Sequence, residues 1–421
     1  MTDGDRTELV LLAGGTTGAA AHEAERLIER LRALQPGTAV LHHDLRDVAD
    51  GVVHRRLRHA GTDEAVPVEL RHGCVSCTLR EDVLPLLRHL GQRPDVRRIV
   101  LHLDPVLEPE QVCWAVLHVL VDGAPVTDAV DLRGVIGVLD VDRWLADATD
   151  DVEPAERGLT ALPHDDRTIA QVAVGQAEFA DLVVLAGETE PWLRTRTSAV
   201  LARLTPLAQH APLDRFEAAE LLLEALPTGA RRGRPDPLHA ALLRGQPPLG
   251  PDGGVQVVVF TARRPFHPER LHSAVDVLLT GVVRTRGRLW LVTRPDTCLW
   301  LESAGGGLRV GHAGEWLVAD PDGWEHADPE RRAAAALRWH PRWGDRVQEL
   351  SVLVVDADPD DVRAALGAAL LTDDELAAGP AAWRHYPDPF GDHHADPCEQ
   401  TTPEPHHSTD NRTDNRTEEQ P

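Results

Sequence analysis

Two cysteines, Cys74 and Cys77, flank Val75 and Ser76 in the stretch GCVSCTLREDVLPLL (73–87), and His72 stands just before it. Two thiolates with two residues between them can share one Zn²⁺, as in the knuckles of zinc sites. His72 is the nearest imidazole in sequence, and His42, His43, His54 and His59 are further donors that could complete a tetrahedron. The same residues admit a plainer account, in which one cysteine packs in a core and the histidines are surface residues of a chain that has 22 of them. A second histidine group, His385, His393, His394, His406 and His407 with Cys398, lies near the C-terminus. It fits a flexible metal scavenger as well as a solubilising end.

A different chemistry is indicated by AGGTTGAAAHE (13–23), where Gly14, Gly15 and Gly18 follow an apolar run and precede a helical pattern. A glycine-rich strand-to-helix turn can hold an anion through backbone amides and the helix N-terminus. The chain contains no lysine, so every permanently positive side chain is an arginine.

The elements that must position these residues follow from hydrophobic patterning. ELVLLAG, TAVLHHD, RRIVLHLD, GVIGVLDVD and ADLVVLAG are short apolar runs bounded by charges or glycine, the pattern of strands buried on both faces of a parallel sheet. HEAERLIERLRAL has helical spacing, and EAAELLLEAL closes this half near residue 226. Residues 227–254, rich in Pro, Gly and Arg, read as a linker. Strands mixed with a few helices from VQVVVFTA onward predict a smaller α+β domain over 255–386. The polar stretch 387–421 is too poor in apolar residues to fold alone and is expected to be disordered. At 421 residues the chain is too long for one compact core, which agrees with two domains.

Composition narrows the function classes. A net charge of −25 disfavours a DNA footprint, and no apolar stretch reaches the length of a membrane span. Five cysteines with one close pair favour a reducing, cytoplasmic setting and metal binding over a disulfide framework.

Several segments now fall in a recognisable order. GCVSCTLREDVLPLL resembles the GCxCC-TLR-x-DL signature of the CobW-type P-loop GTPases and zinc metallochaperones. QAEFADLVVL (176–185), ARRPFHPERLH (262–272), VVRTRGRLWLVTRPD (282–296), RWGDRVQEL (342–350) and LLTDDE (370–375) resemble later segments of that family, and the landmarks span about residues 8–390. The resemblance implies a P-loop α/β domain with a mostly parallel sheet over 1–226, followed by a CobW C-terminal domain.

Against that family the chain departs at each place that handles GTP. A P-loop needs a Lys for the phosphates and a Ser or Thr hydroxyl for Mg²⁺. Ala19 or Ala20 stands at the Lys position, and Ala20 or Ala21 at the hydroxyl. The E-x-x-G segment aligns with His102-Leu103-Asp104-Pro105, where a proline has no N–H to sense a phosphate. The guanine-reading N-K-x-D aligns with Ala186-Gly187-Glu188-Thr189. GTP and Mg²⁺ are therefore not expected as ordinary cofactors. Cys74 and Cys77 keep the outer pair of the family's CxCC, with Ser76 in the middle, so zinc is the metal expected.

Two functions are compatible with this pattern. The first resembles a branch of CobW-type proteins in high-GC bacteria that recruits a ribosome hibernation factor to ribosomes when zinc is scarce. The second is a zinc metallochaperone GTPase that delivers metal to a client protein. Arg263, Arg264, Arg284, Arg286 and Arg288 could face such a partner or serve as internal ion-pair partners. Trp290, Trp300, Trp316, Trp339 and Trp343 are expected as packing anchors.

Overall fold

The computed structural model describes residues 6–15, 18–212, 223–227, 229–237, 240–320 and 322–391. Thr16 and Thr17, most of EAAELLLEAL, and the tail donors His393, His394, Cys398, His406 and His407 lie outside the described residues.

The apolar runs form a parallel sheet. Strands β1 (Thr7–Gly14), β2 (Thr38–Asp44), β5 (Arg98–His102), β8 (Val130–Asp140), β9 (Leu182–Ala186) and β10 (Gln209–Pro212) are joined in parallel. A hairpin of β3 (Val52–His59) and β4 (Thr62–Glu69) extends the sheet antiparallel beyond β2, giving the order β10-β9-β8-β1-β5-β2-β3-β4. A two-stranded ribbon, β6 (Leu120–Val121) and β7 (Ala124–Pro125), stands apart.

Alternation along the central strand sets the layers. Leu9, Leu11 and Ala13 of β1 enter one core with helices α3 (Leu84–Gly91) and α4 (Pro109–His118). Val10 and Leu12 enter the opposite core against Ala20, Ala24, Leu27, Ile28 and Leu31 of α1 (Gly18–Leu34). The carboxyl ends of β1, β2, β5, β8 and β9 point toward the same edge, where α/β folds place ligands.

The second domain is an antiparallel sheet in the order β11-β15-β12-β13-β14: β11 (Gln256–Ala262), β15 (Gln348–Val354), β12 (Val282–Leu289), β13 (Thr297–Ala304) and β14 (Gly307–Glu315). Its own core gathers Phe266, Leu289, Leu299 and Leu350.

The domains share a further core. Leu139, Trp144, Val174 and Val200 of the first pack with Val255, Val257, Val283, Ala304 and Leu353 of the second. The Pro- and Gly-rich segment between them lies along this seam. Arg286 donates to the carbonyl of Leu242 at 3.1 Å, and Arg288 donates to that of Ala240.

Two expectations need correction. Residues 387–391 are not loose: Thr293 and Arg294 both donate to the Asp388 carboxylate, at 2.7 and 2.9 Å, and Phe390 lies edge-on to His272. A few well-placed side chains suffice to dock a short segment that could not fold alone. Trp339 is not a core anchor, since it is 45% exposed and meets Trp324 edge-on at the surface. Trp290 and Trp316 are buried, and Trp300 and Trp343 pack against them.

Candidate metal centre

Cys74 adopts an extended backbone and caps α2 (Val75–Thr78), with its sulfur accepting from the Cys77 N–H at 3.4 Å. The Thr78 N–H and hydroxyl both donate to the Cys74 carbonyl, at 3.0 and 3.1 Å, closing the turn. The two thiols are thereby held on one turn, both half-buried. On its outer side, His72 Nδ1 lies 3.7 Å from Cys77 Sγ. Neighbouring S and N corners of a zinc tetrahedron are separated by about 3.6 Å, from bonds of about 2.3 and 2.1 Å. The donor types and this edge of the tetrahedron fit zinc.

Two features clamp the turn. Gly73 is required because a Cβ there would come within 2.1 Å of the Val48 carbonyl oxygen. After α2 the helix widens into a π-turn (Leu79–Val83) before α3 begins, and this turn carries Asp82 inward. Asp82 accepts from His43 Nε2 at 2.6 Å and from Arg55 at 2.7 Å, tying the cysteine helix to β2 and β3. Burial pushes the Asp82 carboxyl up, but His43 and Arg55 outweigh it and hold it below the usual range. Burial lowers His43 in turn, despite Asp82. π-turns recur at functional sites because they re-aim a side chain without ending the helix.

Of the five histidines proposed as donors, the structure brings only His72 to the thiols. His43 is committed to Asp82, and His54 meets Asp47 at 2.6 Å. His59 is buried toward Asp95, and His42 Nδ1 bonds the His102 carbonyl at 2.9 Å. Among the described residues, no three His, Cys, Asp or Glu side chains converge closely enough to hold a metal ion as they stand.

The glycine-rich turn has structural reasons of its own. Gly14 and Gly15 have φ of +84° and +77°, and a Cβ on Gly14 would lie 2.3 Å from the Val138 carbonyl oxygen. The Gly15 N–H is spent on that same carbonyl, at 3.1 Å, so it does not face an anion. Gly18 opens α1, and Ala20 is buried in the core behind it. A Cβ built on Gly187, after β9, would lie 3.2 Å from the Ala19 methyl and 3.5 Å from an Asp140 oxygen. Asp142 follows and accepts from the Thr189 hydroxyl at 2.7 Å. Methyl groups and carboxylates thus stand where a phosphate site needs cations.

The segment after β5 is likewise committed to structure. The buried Asp104 carboxylate accepts from the Leu45 and Val106 N–H groups, at 2.9 and 3.1 Å. Glu108 accepts from Arg167 at 2.6 Å.

The arginines left open by the sequence are internal partners. Arg284 and Arg286 reach across the domain seam to Glu178, the last residue of the helix Ile169–Glu178. Arg288 bonds Glu349, while Arg263 donates to the Arg346 and Arg338 carbonyls and Arg264 to that of Leu371. Glu178 carried no sequence signal beyond its place in QAEFADLVVL.

Comparison with known proteins places this geometry. Residues 27–189 match the CobW/HypB/UreG nucleotide-binding domain, and residues 255–370 match the cobalamin synthesis protein cobW C-terminal domain. The chain is 48% identical over 409 residues to a zinc chaperone of Mycobacterium tuberculosis, covering 93% of this chain and 95% of that protein. It is 26% identical over 338 residues to zinc-regulated GTPase metalloprotein activator 1 of Dictyostelium discoideum, covering 78% of this chain and 70% of that one. Zinc-bound YjiA GTPase from E. coli aligns with a TM-score of 0.37 and 14% identity over 87% of this chain and 99% of its own. With both domains matched in order, and near-half identity over almost the whole of a relative, this chain belongs to the CobW family.

Proposed function

We propose that the chain is a zinc chaperone: it takes up Zn²⁺ on Cys74, Cys77 and His72 and passes it to a metal-receiving client protein. The observation that carries this is the 3.7 Å approach of His72 Nδ1 to Cys77 Sγ, with Cys74 one helical turn away on the same clamped segment. Three protein donors leave a fourth position for water or a client's own ligand, the open coordination that transfer requires. The name of the Mycobacterium tuberculosis relative supports this reading over the adaptor reading that the sequence placed first. Ordinary GTP turnover forms no part of the proposal, because Ala19, Ala20, Pro105 and Gly187 supply none of the groups it uses.

A second reading is favoured by that same loss: an adaptor that recruits a ribosome hibernation factor to ribosomes under zinc limitation needs surfaces and no GTP chemistry. Zinc competition against a chromophoric chelator tests the first reading. The expected result is about one tight site per chain, lost in the Cys74→Ser/Cys77→Ser double variant and weakened in His72→Ala. Undiminished binding in the double variant would refute the assignment. Zinc-suppressed pelleting with ribosomes that needs a hibernation factor would establish the second reading instead.

A further inference from the structure

Among the described residues, the cysteines divide sharply. Cys113 and Cys298 are fully buried, and burial pushes the Cys298 thiol up to about 12 and that of Cys113 well above its ordinary value. Both are inert packing groups. Cys74 and Cys77 are half-buried and share one turn.

That turn has the geometry of a closing dithiol. The Cα atoms of residues three apart at a helix start lie about 5–6 Å from each other, inside the span of roughly 4.4–6.8 Å that a disulfide bridges. Cys74 Sγ is folded back over the turn, as its bond from the Cys77 N–H shows. The Thr78 bonds to the Cys74 carbonyl, the tight seat of Gly73 and the Asp82 anchor keep the backbone in place. His72 Nδ1 sits 3.7 Å from Cys77 Sγ, on the outer side of the turn. Ser76 removes a competing thiol from between the two. A C-x-x-C placed between strand and helix in an α/β domain is the arrangement used for reversible dithiol chemistry.

We propose that Cys74 and Cys77 close reversibly into an intramolecular disulfide, and that oxidation of this turn releases the zinc held on it. The release half rests on the zinc reading above, whereas the disulfide half does not. The oxidant is a small-molecule disulfide. One thiolate of the pair attacks a sulfur of the oxidant and displaces the other half as a thiolate. The second cysteine thiolate then attacks the mixed disulfide at the protein sulfur and expels the remaining half. Two protein thiols become one disulfide, the small disulfide becomes two thiols, and the two protons end on those thiols. Starting from the zinc form, the products are the protein disulfide, Zn²⁺ and two small thiolates, because a disulfide sulfur no longer offers the thiolate that zinc needs.

The experiment treats full-length protein, metal-free and zinc-loaded, with oxidised glutathione, and maps tryptic peptide 72–80 by mass spectrometry. A Cys398→Ser variant removes the tail thiol. The expected product is peptide 72–80 lighter by two hydrogens, free of glutathione, and restored by dithiothreitol. Cys74→Ser and Cys77→Ser should each stop at a retained glutathione adduct on the remaining cysteine. The zinc-loaded protein should release its zinc as the disulfide forms. Persistent glutathione adducts in the parent protein, or a 72–80 peptide that reacts only after denaturation, would overturn the dithiol. Disulfide formation with zinc retained would overturn the release half. Disulfide formation in a protein that never bound zinc would support the dithiol and sink the chaperone reading instead.

Discussion

The Glu178 carboxylate meets the Arg284 guanidinium at 2.9 Å across the seam between the two domains. Burial pushes Glu178 up, but Arg284 and Arg286 outweigh it and hold the carboxyl below its ordinary value. Arg284 also reaches Glu302 at 3.1 Å. Removing one partner of such a cluster leaves buried charge uncompensated. Glu178→Ala is expected to cost about 3–5 kcal/mol in chemical denaturation, because it leaves Arg284 and Arg286 buried without their shared partner. A loss under about 1 kcal/mol would show that the seam is held by its apolar core alone.

Acid should destabilise the first domain through its neutral histidines. Desolvation, with His42 and Arg58 adding, pushes His102 down to about 3 from an ordinary 6.5. Between those values the unfolded chain binds the extra proton, so stability is complete above about pH 6.5 and falls as pH drops toward 3. His43, lowered by burial, acts in the same direction. Denaturation midpoints should decline across that window, and His102→Phe, which keeps a ring against His42, should decline less.

Gly73 sets the cysteine turn by absence of a side chain. Gly73→Ala forces a methyl against the Val48 carbonyl and should cost about 1–3 kcal/mol of stability. It should weaken zinc about tenfold, through displacement of the supporting backbone rather than loss of a donor. Unchanged zinc affinity would show that the turn tolerates the shift.

GTP binding should be weak. The phosphate lysine, the Mg²⁺ hydroxyl and the guanine carboxylate are each missing, and charge-assisted contacts contribute about 1.5–3 kcal/mol apiece. Together that is about a thousandfold or more in affinity. A fluorescent GTP analogue with Mg²⁺ is expected to show no saturable binding in the micromolar range.

Much of this architecture was legible beforehand, for identifiable reasons. The strands around Leu9, Val40, Ile99, Val138 and Val183 are buried on both faces and so read as unbroken apolar runs. The hairpin of VVHRRLRH and TDEAVPVE carries no such run, because β4 is an edge strand with most of its side chains exposed and β3 beside it mixes arginines and histidines with its apolar residues. The cysteine pair and His72 were visible as a cluster in sequence. The commitment of His43, His54 and His59 to carboxylates was not, since Asp82 and Asp95 come from distant segments and Asp47 meets His54 only through the turn that leads into β3. The arginines of β12 could not be assigned from sequence either. Their partners Glu178 and Glu349 lie 106 or 108 residues back and 61 residues on, a separation that no local pattern records.

Zinc K-edge absorption on protein loaded with one equivalent shows whether zinc binds this turn through its sulfurs. The expected shell has two sulfurs at about 2.3 Å and nitrogen or oxygen at about 2.0–2.1 Å, with the sulfur contribution gone in the Cys74→Ser/Cys77→Ser variant. A shell of nitrogen and oxygen alone would contradict it and move the metal to the histidines.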